Sequence, residues 1–265
     1  YQNNNGSWTQ LGQDIDGEVS YDYSGYCVSL SSDGNIVAIG AYQNDGNGSN
    51  SGHVRIYKYN NGSWTQLGQD INGEAYDDHS GFSVSLSSDG NIVAIGSRYN
   101  DGNGSNSGNV RIYKNNNSAW SQIGQDIDGE ATSDYSGYSV SLSSDGNIVA
   151  IGAYANDGNG TSAGHVRVYQ NNNGSWTQLG QDIDGENSGS QSGFSVSLSS
   201  QGNKVAIGAP NNNGNGTYSG HVRVYENNNS SWTQIGQDIN GEAGYDYSGH
   251  SVSLSSDGNI VAIGA

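Results

Sequence analysis

Residues 25–71 read GYCVSLSSDGNIVAIGAYQNDGNGSNSGHVRIYKYNNGSWTQLGQDI, and the way this stretch divides into strands decides the fold. GYCVSLS (25–31) alternates, with Tyr26, Val28 and Leu30 on one face and Cys27, Ser29 and Ser31 on the other. That period of two belongs to a half-buried strand. Asp33-Gly34 is a tight-hairpin dipeptide, because both residue types tolerate positive φ. NIVAIGA (35–41) is apolar on both faces, as expected of a strand sandwiched between two layers. Beyond a polar loop (42–51), GHVRIYK (52–58) points Val54 and Ile56 one way and His53, Arg55 and Tyr57 the other. An Asn-Gly turn (61–62) leads into SWTQLGQDI (63–71), the predicted fourth strand.

The same unit returns along the whole chain. Trp8, Trp64, Trp120, Trp176 and Trp232 are evenly spaced, with no insertion or deletion between them. Four antiparallel strands in a repeat of this length describe a propeller blade, and small Ser, Gly and Ala on its first two strands let neighbouring blades approach. The predicted fold is therefore all-β, a propeller of four-stranded antiparallel blades with five blades, or alternatively a fragment of a larger ring or array. It forms one repeat domain over 1–265: a closing outer strand in 1–24, units at 25–80, 81–136, 137–192 and 193–248, and an incomplete blade at 249–265. Five full copies would need roughly 280 residues, against 265 present. The shortfall falls on the third strand of the closing blade, and the open edge is a candidate for self-association.

Composition narrows the function. Only 32% of residues are hydrophobic, but they gather in regular Val/Ile/Leu clusters, which disordered chains lack. The formal net charge is −18, from 26 acidic against 8 basic residues, which disfavours nucleic acid and anionic membranes as partners. No window is apolar enough to span a membrane, and no signal peptide is evident. With no methionine at all, the sequence reads as a processed product or part of something longer. Cys27 stands where other copies carry Ser83, Ser139, Ser195 and Ser251; a single cysteine allows no disulfide within the chain.

The run SGFSVSLSSQGNKVAIGAPNNNGNGTYSGHVRVY (192–225) resembles an FG-GAP repeat. Gly193-Phe194 takes the Phe-Gly place in reversed order, Val205–Pro210 the "GAP" strand, and Gly220–Tyr225 the Gly-aliphatic-Tyr strand. The resemblance implies propeller blades like those of integrin α-subunit heads. Calcium-binding members carry Asp-x-Asp-x-Asp-Gly in the hairpin between the first two strands. Here Ser29-Leu30-Ser31-Ser32-Asp33-Gly34 stands there, and Gln201 replaces the aspartate in the fourth copy, so that hairpin reads as a turn only.

Several positions are candidate sites. Asn44, Asp45 and Asn47, with Asp101 and Asp157 in later copies, have the Asp/Asn/Gly spacing of a calcium loop, and equally that of Asx turns. The loops between blades vary most: Tyr21, Asp22, Tyr23, Asp78, His79, Asp134, Tyr135, Tyr245, Asp246 and Tyr247 are candidate ligand-binding residues there. The recurrent Asp/Glu pairs (Asp14/Glu18, Asp70/Glu74, Asp126/Glu130, Asp182/Glu186, Asp238/Glu242) read as structural ion-pair partners of Arg55, Arg111, Arg167 and Arg223, and the repeated His53, His165 and His221 as hydrogen-bonders. Sequons at Asn5, Asn47, Asn61, Asn103, Asn116, Asn159, Asn173, Asn215, Asn228 and Asn229 are candidate N-glycan carriers. No cofactor is required by this reading. Its functional expectation is a non-enzymatic, extracellular or cell-surface propeller for adhesion or recognition of a glycan or extracellular protein. The alternative is a structural block of a glycosylated fibre, sheath or matrix.

Overall fold

The computed structural model describes all 265 residues, Tyr1–Ala265. An N-terminal hairpin pairs β1 (Gln2–Asn4) with β2 (Ser7–Thr9). The first blade contains β3 (Cys27–Leu30), β4 (Ile36–Ala41), β5 (His53–Asn60), β6 (Ser63–Gln66) and β7 (Ile71–Asn72). The second contains β8 (Ser80–Leu86), β9 (Ile92–Ser97), β10 (Asn109–Asn116), β11 (Ala119–Gln122) and β12 (Ile127–Asp128). The third contains β13 (Ser139–Leu142), β14 (Ile148–Ala153), β15 (His165–Asn172), β16 (Ser175–Gln178) and β17 (Ile183–Asp184). The fourth contains β18 (Ser195–Leu198), β19 (Lys204–Ala209), β20 (His221–Asn227), β21 (Trp232–Gln234) and β22 (Ile239–Asn240). Two strands of a fifth, β23 (Ser251–Leu254) and β24 (Val261–Gly264), end the chain. No helix is long and apolar enough to cross a membrane.

Each blade is an antiparallel meander of β-propeller type. In the first, Leu30 pairs with Val37, Ala41 with His53 and Asn60 with Ser63. The predicted fourth strand is broken into β6 and β7, both paired to β5. Gly68, at φ +85°, lies in the break, a conformation that glycine adopts without a Cβ penalty. The chain rejoins the sheet at Ile71, whose partner is Val54.

The core lies between blades rather than within them. Ile36, Ala38, Val54, Ile56 and Ile71 of the first blade pack against Leu86, Val93, Ile95 and Trp120 of the second. The two following junctions repeat this arrangement. Close approach is possible because the facing positions are small. A Cβ on Gly96 would sit 2.1 Å from the Gly137 carbonyl oxygen, and Ser83 Oγ donates to that same oxygen at 2.7 Å. Ser29, Ser85, Ser141 and Ser197 each accept the amide of the leucine in the next blade's first strand, at 2.9 Å. Cys27 occupies the serine position and donates through Sγ to the Gly81 carbonyl; burial pushes its thiol up to about 12.

The expected ring closure is not made. β1–β2 and β23–β24 remain separate two-stranded sheets. The segment corresponding to His53–Ile56, which joins the second strand to the fourth in every full blade, is what the two hairpins lack. Trp8 is accordingly 68% exposed, whereas Trp120, Trp176 and Trp232 are buried against a preceding blade.

Candidate functional site

Two ends of the blades are chemically distinct. The hairpins 31–35 and 60–63 share one end, and the variable inter-blade loops and the 42–52 loop share the other. At the hairpin end, Asp33 accepts from the Ser31 hydroxyl at 2.7 Å, the Asn35 amide at 3.0 Å and the Asn35 side chain at 2.8 Å. These donors lower its pKa to about 2. A carboxylate committed to closing its own turn, with serines in place of the other two acids, does not fit the family's calcium site.

At the loop end the acids also turn inward. Asp22, Asp78 and Asp134 are buried. Asp22 accepts Asn44 Nδ2 at 2.8 Å, Asp78 accepts the Ala75 amide at 2.8 Å, and Asp134 accepts both Asn156 Nδ2 and the Ala131 amide. Asp246, more exposed, caps the Ala243 amide at 2.7 Å. These four aspartates hold the loop together, while Tyr21 (84% exposed) and Tyr245 stand out into solvent. Asn44 Oδ1 caps the Gly46 amide, and Asp45 Oδ1 caps the Asn50 amide. Asp101 and Asp157 cap Asn106 and Ser162 in the same way, and Asn47 Nδ2 bridges the Gly73 and Glu74 carbonyls. The candidate calcium loop thus uses these groups as Asx-type turn caps.

The start of each third strand carries a charged cluster. In the third blade Arg167 clasps Asp182 through both carboxylate oxygens, at 2.8–2.9 Å, and also contacts Glu130. Arg223 does the same with Asp238 and Glu186. Burial opposes the guanidinium charge, but Asp182 and Glu130 outweigh it and Arg167 is held firmly protonated. Buried His53, His165 and His221 lie beside these groups, and burial lowers each imidazole below its ordinary value.

One constellation breaks the repeat. Tyr26, Phe82, Tyr138, Phe194 and His250, one per blade, form a continuous ladder with ring centroids 4.8–5.0 Å apart. Phe82 stands at a β-bulge between Ser80 and Ser83. Beside it comes Arg98, where other blades have Tyr42, Tyr154 and Pro210. Its guanidinium carbon sits 3.7 Å from the Phe82 ring centre and 4.5 Å from that of Tyr99. No carboxylate pairs with it, unlike Arg55, Arg111, Arg167 and Arg223, and its buried Nε has no partner.

His79 joins this group from the inter-blade loop. Its ring packs on Tyr42 and Tyr99, Nε2 lies 3.3 Å from Asp77 Oδ1, and Nδ1 is buried without a partner. Burial and then the Arg98 charge lower its pKa, so the ring is neutral near pH 7. Burial also raises Tyr42, Tyr154 and Tyr138, the last to about 12, leaving neutral phenols as donors. Asp77 and His79 both have positive φ, a conformation that non-glycine residues hold only where surrounding structure enforces it. Of the candidate loop residues, the structure brings His79, Tyr23 and Tyr135 to this cluster, with Tyr23 packed on Tyr42 and Tyr135 on Tyr99. Tyr247 stacks instead on Tyr218, away from Arg98. Sequence reading missed Arg98 and Tyr99. The available signal was their departure from the repeat.

Three segments, 15–57, 72–113 and 127–169, match the family model described as FG-GAP repeat. The chain is an FG-GAP repeat protein. No curated protein matches this FG-GAP repeat protein as a relative. Its fold is similar to that of the periplasmic gluconolactonase PpgL of Pseudomonas aeruginosa, with a TM-score of 0.57 at 17% identity over 89% of this chain and 63% of that one. Putative 6-phosphogluconolactonases of Bacteroides fragilis (TM-score 0.57, 13% identity, 90% of this chain and 57% of that one) and Bacteroides uniformis (0.54, 14%, 89% and 57%) are similar too. This FG-GAP repeat protein spans about three fifths of the length of those chains.

These likenesses show the fold, and they correct the functional expectation. The expectation from sequence is a non-enzymatic adhesion, recognition or building module. Those three structures of similar fold are named as lactonases, two of them putative, so a repeated propeller is no argument against catalysis. The structure also supplies a constellation that the repeat does not contain, at Asp77, His79, Arg98 and Tyr99.

Proposed function

We propose that this FG-GAP repeat protein is a hydrolase for lactones of sugar acids, whose transition state and carboxylate product are anionic, and that the Arg98 site is where it works. The observation that carries the proposal is the single arginine without an acidic partner, laid over Phe82 and Tyr99 in a strongly acidic chain. Such a cation attracts an anion, and the surrounding aromatic rings give a sugar ring an apolar face to lie on. Lactone hydrolysis adds water to the carbonyl, breaks the ring C–O bond and leaves a hydroxy acid that ionises to a carboxylate. Arg98 would stabilise the oxyanion and then the carboxylate. Neutral His79, beside Asp77, would take the proton lost by water and pass it to the ring oxygen as the C–O bond breaks, which requires substrate binding to open the buried Nδ1 to water. We place the protein outside the cytoplasm, at the cell surface or beyond. The periplasmic enzyme of similar fold supports that setting.

Hydrolysis of gluconolactone and of its 6-phosphate ester, corrected for spontaneous ring opening, tests the reading. Turnover that falls at least about 100-fold in Arg98→Met, the loss typical for removing one oxyanion donor, supports it. The absence of any rate above background for both compounds overturns it.

A further inference from the structure

The charged clusters at the starts of the third strands are not equivalent. In the first blade, Glu18, His53 and Asp70 bring one imidazole nitrogen and two carboxylate oxygens within 4.8 Å of one another. The same trio occurs as Glu130, His165 and Asp182, and as Glu186, His221 and Asp238. In those two copies the arginine fork grips the aspartate through both oxygens. Arg55 is turned differently: its Nη2 donates to the Asp16 carbonyl at 2.9 Å and its Nη1 lies 3.6 Å from Glu18. No arginine pairs with Asp70, whose Oδ1 accepts only the Gln66 amide.

The imidazole supplies the second, independent observation. The His53 ring is 2% exposed and its Nδ1 points at Glu18 Oε2 from 3.9 Å, too far for a hydrogen bond. A buried nitrogen held just outside hydrogen-bond range of a carboxylate leaves room for an ion between them.

We infer that Glu18, His53 and Asp70 form a binding site for one borderline divalent cation of the Zn2+ class. Nitrogen plus carboxylate donors suit Zn2+ and its neighbours better than Ca2+, which prefers an all-oxygen shell. Two carboxylates and one guanidinium leave a net negative charge at the site, so a dication is not repelled. The arginine forks close the equivalent positions in the third and fourth blades, and the second blade has Asn109 in place of histidine. This inference is independent of the hydrolase reading.

The test is calorimetric titration of Zn2+ into the metal-free 265-residue chain at neutral pH, with Co2+ absorption as a second readout of nitrogen ligation. About one ion per chain is expected. His53→Asn, which copies what the second blade already tolerates, should weaken binding at least about 10-fold and remove the Co2+ signal. His165→Asn should leave both unchanged. No binding by the parent chain, equal binding by His53→Asn, or equal losses in the two variants would overturn the assignment.

Discussion

The Trp120 indole nitrogen donates to the Leu67 carbonyl at 2.7 Å, and the two residues belong to different blades. Trp64, Trp176 and Trp232 reach back to Leu11, Ile123 and Leu179 in the same way, and Gln69 Nε2 returns a bond to the Trp120 carbonyl. The repeated tryptophan is thus the outer fastening of each blade to its predecessor. Trp120→Phe should lower stability by about 1 kcal/mol for the lost hydrogen bond, and Trp120→Ala by about 3–5 kcal/mol. Trp8→Ala should have little effect, since Trp8 lies on the surface. Denaturant midpoints of the three variants check this ordering.

The inner fastening depends on the absence of side chains. A methyl on Gly96 would meet the Gly137 carbonyl oxygen at 2.1 Å, and that oxygen is backbone, which cannot swing away. Gly96→Ala should therefore cost about 2–3 kcal/mol or more, as overpacking against a rigid neighbour does. Thermal melting would show the loss directly. A melting temperature within a degree of the parent's would mean the blades separate more readily than described.

The hairpin aspartates predict the acid response. Asp33 is held down to about 2 by the Ser31 hydroxyl and the Asn35 donors. Asp257 is lowered by the same donors, Ser255 first. For Asp89 and Asp145 burial pushes upward, but the serine and asparagine bonds outweigh it and the net shift is down. A carboxyl lowered on folding adds stability that is present above its unfolded value, about 4, and is lost as pH falls through the folded one. The fall in melting temperature between pH 5 and pH 2 should be smaller when all four are changed to asparagine. An unchanged pH dependence would contradict it.

Seven of the ten sequons fall into two groups. Asn47, Asn103, Asn159 and Asn215 spend their side-chain amides on backbone carbonyls of the next segment. Asn5, Asn61 and Asn173 sit at exposed hairpin tips with positive φ. Produced in a glycosylating secretory host, the chain should carry glycans at the tips and few at the loop asparagines. Site-resolved glycopeptide mass spectrometry reads this out, and heavy occupancy of Asn103 or Asn215 would contradict it.

The strand pattern was legible because period-two alternation and Asp-Gly or Asn-Gly turns are local properties. Val54, Ile56 and the small serines fall where those patterns place them. The broken fourth strand was not legible, because Trp64–Asp70 carries no turn dipeptide and the break shows only in the φ of Gly68. The site was harder still. Asp22, Asp78 and Asp134 looked like ligand groups because variable acidic loops usually face solvent, yet Asp78 and Asp134 cap their own loops and Asp22 holds Asn44 of the neighbouring one. Arg98 and Tyr99 were hidden by the opposite habit, since reading a repeat favours what recurs over what departs from it.

The central claim is that residues departing from the repeat around Arg98 form a site for a small anionic sugar derivative. A crystal structure of the protein soaked with gluconate, the product of lactone opening, tests it most directly. The account predicts the carboxylate within hydrogen-bond distance of the Arg98 guanidinium, with the carbon chain against Phe82 or Tyr99. Gluconate bound elsewhere, or absent at saturating concentration with Arg98 still packed on Phe82, would contradict it.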